Sequence, residues 1–207
     1  MPEYEDRITH NKEERNLEFK QSMDWNQPET KGKITKGILA MSNIRNGGLI
    51  VIGVEQQGEE FVLVGMETIH IESFTQDGVA SYVANFASPY VEFSLTRHAV
   101  SINRFIVIDV KEFSEIPVVC RQDGPEGLRR GAIYTRTRRM NESAQVSSEA
   151  EMREILDMAI EKRIRAYFAT TQRAGLISVP SETAERILRQ QAEEDQRRFQ
   201  EELPPEL

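Results

Sequence analysis

Four residues have types and spacing suited to chemistry: Glu13, Glu18, Lys20 and Glu55. Glu18 and Lys20 fall at i and i+2, which places them on one face of an extended segment. Glu55 directly follows the apolar run Leu49–Val54. If the segment 13–20 runs beside that strand, three carboxylates and a lysine converge. A carboxylate cluster of this kind holds Mg²⁺ or Mn²⁺ through a few oxygens and leaves positions for water and phosphate. Glu13, Glu18 and Glu55 are then the expected metal ligands and, with Lys20, the expected catalytic set. The lysine would offset charge developing on a phosphodiester. An ordinary i, i+2 charge pair on a surface strand accounts for the Glu18 and Lys20 spacing equally well.

Two further constellations bear on binding. Asn43 precedes Asn46-Gly47-Gly48, a glycine turn between a helical pattern and a strand. Such a turn can bring backbone close to a phosphate, or it can simply end the helix. It is not a P-loop, because Gly-Lys-Ser/Thr is missing and the order is helix to strand. Between Arg121 and Met140 stand six arginines, Arg121, Arg129, Arg130, Arg136, Arg138 and Arg139, against Asp123 and Glu126, with Tyr134 among them. Arginines interleaved with an aromatic suit phosphate contact and base stacking. His10, His70 and His98 are far apart without metal spacing, and Cys120 lies in an apolar strand where a thiol is usually inert.

The elements that must position these residues follow from periodicity. Ile34, Ile38 and Met41 recur at i, i+4, i+7 and predict a helix over about 29–45. Leu49–Val54 is apolar and β-branched, a strand covered on both faces. Residues 13–20 form a short strand or turn with Leu17 and Phe19 inward and Glu18 and Lys20 outward. A turn at Gln56-Gln57-Gly58 leads to a strand at about 60–64, which makes a hairpin. A second helix spans 73–87 and stops before Pro89. Strands follow at 91–97, 104–110, 116–119 and 132–136. The expected fold is α+β, a mostly antiparallel or mixed sheet with two helices, followed by C-terminal helices. Residues 1–12 are a flexible N-terminus, 13–146 the domain, 147–179 a docking helix, and 180–207 an acidic helix and tail.

The composition narrows the partners. Over 207 residues the formal net charge is −8, which argues against a binder that uses its whole surface for nucleic acid. Residues 181–207 hold eight acids against four arginines and supply half of that excess, whereas the arginine segment carries a local +4. No apolar run reaches the roughly 18 residues a membrane span needs. One cysteine excludes an internal disulfide framework. A cytoplasmic protein is expected.

In order along the chain, these pieces resemble the Schlafen AlbA-type domain, once catalogued as a divergent AAA module. The matching pieces are Glu13-x4-Glu18-Phe19-Lys20, Ala40-Met41-Ser42-Asn43, and Gly47-Gly48-Leu49-Ile50-Val51-Ile52-Gly53-Val54-Glu55. Ile116-Pro117 follows a strand ending in Val110, and Tyr134-x-Arg136 precedes a polar turn and a helix. The resemblance implies a nucleic-acid-binding domain. In eukaryotic members it also implies a Mg²⁺- or Mn²⁺-dependent endoribonuclease acting on structured RNA such as tRNA. Those enzymes use two glutamates spaced as Glu13 and Glu18 are, and an aspartate where Glu55 stands here, one methylene longer. Lys20, Arg129, Arg130, Arg136, Arg138 and Arg139 are the expected phosphate contacts. The enzymes pair two such lobes in one chain, so a single lobe implies a homo-oligomer, a dimer in the simplest case. The alternative is a non-catalytic DNA-binding, regulatory or assembly module that uses its C-terminal helices.

Overall fold

The computed structural model describes residues 13–58, 60–138 and 141–174. Residues 1–12, Arg139 and the helix expected at 180–202 lie outside the described residues. In chain order the elements are β1 (Leu17–Lys20), α1 (Pro28–Ser42), β2 (Gly48–Ile52), β3 (Glu55–Gln57), β4 (Glu60–Val62), α2 (Thr68–Ser73) and α3 (Gln76–Ala84). There follow β5 (Ala87–Ser88), β6 (Phe93–Val100), β7 (Asn103–Val110), β8 (Val119–Cys120), a 3₁₀ turn (Pro125–Gly127), β9 (Tyr134–Arg136), β10 (Ser143–Gln145) and α4 (Glu149–Arg173). The class is α+β, as the periodicity predicts. Two compact units divide the chain, Met1–Lys162 and Arg163–Leu207. The first holds the sheet and the site.

The main sheet runs β1-β2-β7-β6. β1 is parallel to β2, with Glu18 opposite Ile50 and Lys20 opposite Ile52. The other two pairings, β2 with β7 and β7 with β6, are antiparallel, so the sheet is mixed. Every residue of β2 is buried, as an apolar β-branched run requires. One face packs under α1 through Ile50, Ile52, Ile106 and Ile108 against Ile34, Ile38 and Met41. On the other face Leu17, Phe19, Leu49, Val51, Phe105 and Val107 form a second cluster, partly covered by Phe61 and Leu63. Each such side chain contributes about 1.5–3 kcal/mol when fully removed from water.

Local chemistry sets the helix limits. Pro28 opens α1 at a position where its missing N–H costs nothing. The helix expected at 73–87 is the shorter α3, and α2 before it is an element the periodicity did not reveal. Thr75 takes an extended backbone and caps α3 by accepting the Gly78 N–H at 3.1 Å, and that cap separates α3 from α2. β10 is an element the periodicity did not reveal, a three-residue strand held by β9.

The Asn46-Gly47-Gly48 turn is scaffolding. Gly47 has φ +68°, and a Cβ there would overlap the Val110 carbonyl oxygen. Asn43 is 1% exposed. Its Nδ2 donates to the carbonyls of Leu39 at 3.2 Å, Val118 at 2.9 Å and Tyr134 at 2.9 Å, and its Oδ1 accepts the Val118 N–H at 2.8 Å. That amide ties the end of α1 both to the segment leading into β8 and to β9.

α4 buries Ile155 and Met158 in the core. Glu154 takes both terminal nitrogens of Arg15, at 2.7 and 2.9 Å, and also pairs with Arg138 at 3.4 Å. Partial burial works to raise the Glu154 pKa, but the hydrogen bonds and charges of Arg15 and Arg138 outweigh it and hold the group below its ordinary value. A depressed carboxylate contributes stability that is present above its unfolded pKa and lost as pH falls through the folded one. Thermal melts from pH 6 downward should therefore show the wild-type midpoint falling more steeply below about pH 4.5 than that of Glu154→Gln. Parallel curves for the two proteins would refute this pairing as a pH-dependent contributor.

Candidate functional site

A groove of about 600 Å³ opens where β1, α1, the β3–β4 hairpin and the start of β10 meet. Glu13, Glu18, Lys20 and Glu55 all line it, so the fold does bring the four expected residues together. Lys33 and Lys36 reach it from α1, and Glu142 and Ser143 from the β10 side. Phe19, Met23, Val54 and Phe61 supply apolar wall, with the Phe19 and Phe61 rings 5.1 Å apart.

Glu18 departs from its expected outward position. It is 3% exposed and lies beneath α1. A Cβ on Gly37 would come within 3.2 Å of Glu18 Oε2, so glycine in α1 makes the room for this carboxylate. One oxygen, Oε1, stands 2.6 Å from Lys20 Nζ. The other accepts from Ser143 Oγ at 3.0 Å and pairs with Arg136 at 3.2 Å. Arg136 is itself only 1% exposed and donates to the carbonyls of Arg15, Leu17 and Glu14 at 3.2, 3.4 and 3.5 Å. A buried arginine with these partners spends most of its donors inside the fold, although it also lines the groove. Its role is to weld β9 to the β1 segment through Glu18.

The other expected residues fall into three groups. Glu13 Oε1 accepts the Phe19 N–H at 2.9 Å, so this acid caps the start of β1. Glu55 is exposed on β3, beyond the point where the Gly53 and Val54 N–H groups both bond to the Lys20 carbonyl. The arginines divide by burial. Arg129 and Arg130 are exposed on the loop after the 3₁₀ turn, and Arg138 is exposed but shares Glu154 with Arg15.

The donor set does not suit the divalent cation that the resemblance implies. Among the described residues, no three His, Cys, Asp or Glu side chains are placed to hold a metal ion. Glu18, the central acid, already meets two cationic side chains and a hydroxyl. A metal ion at Glu18 would stand beside two positive charges and be repelled by both.

Lys33 and Lys36 are the groove residues that sequence reading missed. They are i and i+3 on α1, just before Gly37, and so share the face over the groove. Lys36 Nζ also donates to the Glu126 carbonyl of the 3₁₀ turn. This contact ties the 3₁₀ turn to α1. The helical i, i+3 spacing was available as a signal, but nothing in the sequence says which face of α1 looks on β1.

Residues 13–145 match the family model described as Schlafen, AlbA_2. The chain belongs to the Schlafen AlbA_2 family. No curated protein matches it. Among solved structures, one similar chain is the DIP2311 protein from Corynebacterium diphtheriae, at 14% identity and TM-score 0.45. The match covers 68% of this chain and 23% of that one, so this protein spans about a quarter of its length. Another is the N-terminal domain of a RecG-related protein from Nitrosomonas europaea, at 19% identity and TM-score 0.42, covering 70% of this chain and 92% of that one. No described helix is long and apolar enough to cross a membrane.

Proposed function

We propose that this Schlafen AlbA_2 protein binds nucleic acid along the groove, with Lys20, Lys33 and Lys36 inside it and Arg129 and Arg130 beside it as phosphate contacts. The observation that supports this reading is that Lys20, Lys33 and Lys36 all line the one groove. The groove also holds Glu13, Glu18, Glu55 and Glu142, so its lining charge is balanced rather than strongly basic. A lining that mixes lysines with carboxylates suits a single strand, whose phosphates meet the cations while its bases and sugars bring hydrogen-bond donors to the acids. Family membership supports the nucleic-acid class. The metal-dependent endoribonuclease is the less supported form of this reading, because Glu18 is already paired with Arg136 and Lys20.

Titrating the protein with a fluorescent single-stranded RNA at several salt concentrations tests the binding. The double variant Lys33→Glu, Lys36→Glu should weaken affinity for all sequences alike. It should also lower the slope of log K against log salt by about 2, roughly one for each phosphate that the variant no longer neutralises. Unchanged affinity and slope would sink the groove reading. In the same preparations, tRNA incubated with Mn²⁺ should stay intact. Cleavage that Glu55→Gln abolishes would restore the nuclease.

A further inference from the structure

The β3–β4 hairpin brings three side chains to the groove: Glu55, Gln56 and Phe61. Its foot is fixed. Gly53 and Val54 donate to the Lys20 carbonyl at 2.8 and 3.0 Å, and Gly65 donates to the Gly53 carbonyl at 2.8 Å. Phe61 is half-buried against the buried Phe19 ring, 5.1 Å away, so part of its own ring stays open. Gln56 turns its amide nitrogen to the Gly58 carbonyl at 3.1 Å and leaves its oxygen as an acceptor. Glu55 is exposed, and its Oε2 accepts from Gln57 Nε2 at 3.4 Å. Unlike Glu18, which holds Lys20 and Arg136, Glu55 forms no ion pair among the described residues.

An open ring with an unneutralised carboxylate on the same hairpin suits a nucleobase. The ring offers a stacking surface, and the carboxylate accepts from the edge of the base. A carboxylate has no donor of its own, so the base must supply all of them. Guanine alone among the four bases carries two adjacent donors, N1–H and the N2 amino group, spaced to meet both oxygens. Adenine and cytosine set a single amino donor beside a ring nitrogen that a carboxylate repels. Uracil flanks its N3–H with two carbonyls. At about 600 Å³ the groove has room for a nucleotide.

We propose that the β3–β4 hairpin is a guanine subsite of the groove, in which Phe61 stacks on the base and Glu55 accepts from N1–H and the N2 amino group. The subsite rests on the reading of the groove as a path for a single strand. Lys20, Lys33 and Lys36 hold phosphates, which carry no sequence information, and the hairpin reads one base.

Fluorescence anisotropy of the full chain with short labelled uridine RNAs, each carrying one central guanosine, inosine or adenosine, tests the subsite. The guanosine strand should bind roughly tenfold or more tightly than the all-uridine strand, the usual discrimination of a bidentate pair. Inosine, which lacks the N2 amino group, should fall between them, and adenosine should gain nothing from Glu55. Glu55→Gln should remove the guanosine preference, because its amide opposes one of the two donors with an N–H. The same variant should bind the all-uridine strand at least as tightly as wild type, since a negative charge leaves the groove. A merely structural Glu55 would instead weaken every strand alike. Phe61→Leu, which keeps an apolar cover over Phe19, should weaken the guanosine strand about fivefold or more through lost stacking. Lys33→Glu with Lys36→Glu should weaken all strands and leave the preference in place. If no strand binds, or if the lysine variant changes nothing, the groove reading fails and the subsite fails with it. If all strands bind equally and the lysine variant weakens them, the groove stands and the subsite alone is overturned. A guanosine preference that survives Glu55→Gln and disappears in Glu142→Gln would overturn the subsite as well.

Discussion

Glu18→Ala is expected to destabilise the protein by about 3–5 kcal/mol, the usual cost of removing one partner from a buried ion pair. For a chain of this size that is a fall in melting midpoint of roughly 10 °C or more. The reason lies in Arg136, which is 1% exposed and 3.2 Å from the Glu18 carboxylate. Without that carboxylate the guanidinium keeps backbone carbonyls as partners but loses its buried counter-charge. Glu18→Gln should fall between wild type and alanine, since the amide oxygen can still accept from Ser143 and Arg136. The paired replacement Glu18→Leu with Arg136→Met should recover much of the loss, because well-packed apolar groups can replace a buried pair at little cost. Thermal and urea melts of these proteins, with each single replacement included, form a double-mutant cycle. An alanine variant as stable as wild type would show that Glu18 is not a structural counter-ion. Its loss of nucleic-acid binding alone, without loss of stability, would return the residue to the functional set.

The second large effect is at Asn43. Its side chain makes four hydrogen bonds, all to buried backbone of three separate segments. Asn43→Ala leaves the Val118 N–H and the Val118 and Tyr134 carbonyls without those partners. Each orphaned buried group costs about 1–3 kcal/mol, so the expected loss is about 3 kcal/mol or more. Asn43→Asp should be worse than alanine. One carboxylate oxygen can still accept the Val118 N–H, but the other then faces the carbonyl oxygens that Nδ2 now serves, and a buried charge is added. The order wild type, then alanine, then aspartate in urea midpoints checks this. Aspartate equal to or better than alanine would show that the side chain is not the donor hub described here.

Both residues show where the reading of the sequence stops. Glu18 and Lys20 are two apart in a strand, and alternation places both on one face. Alternation also assigns that face to water, because the flanking Leu17 and Phe19 have a clear claim on a core. β1 in fact has a core on each side. Leu17 and Phe19 enter the cluster under the β3–β4 hairpin, and Glu18 enters the space under α1 that Gly37 leaves open. Strand periodicity distinguishes two faces but cannot say that both are buried. The burial of Arg136 was out of reach for a similar reason. Six arginines in twenty residues resemble a basic surface, and only the packing of β9 beside β1 shows that one of them is interior.

Local physical chemistry was sufficient for much of the rest. The apolar β-branched run at Leu49–Val54, the glycine turn before it and the i, i+4, i+7 stripe of α1 are short-range patterns, and the chain folds as they predict. The order of motifs along residues 13–145 was enough for the family, because motif order is a property of the chain itself. Tertiary structure alone decided what the acids do. Carboxylate chemistry depends on which cations and donors stand within about 3 Å, and those come from residues more than a hundred positions away: Arg136 and Ser143 on Glu18. The sequence named Glu13, Glu18, Lys20 and Glu55 as neighbours in one groove. It could not show that Glu18 is already neutralised from within, or that Lys33 and Lys36 stand over it, because both depend on which face of α1 turns toward β1.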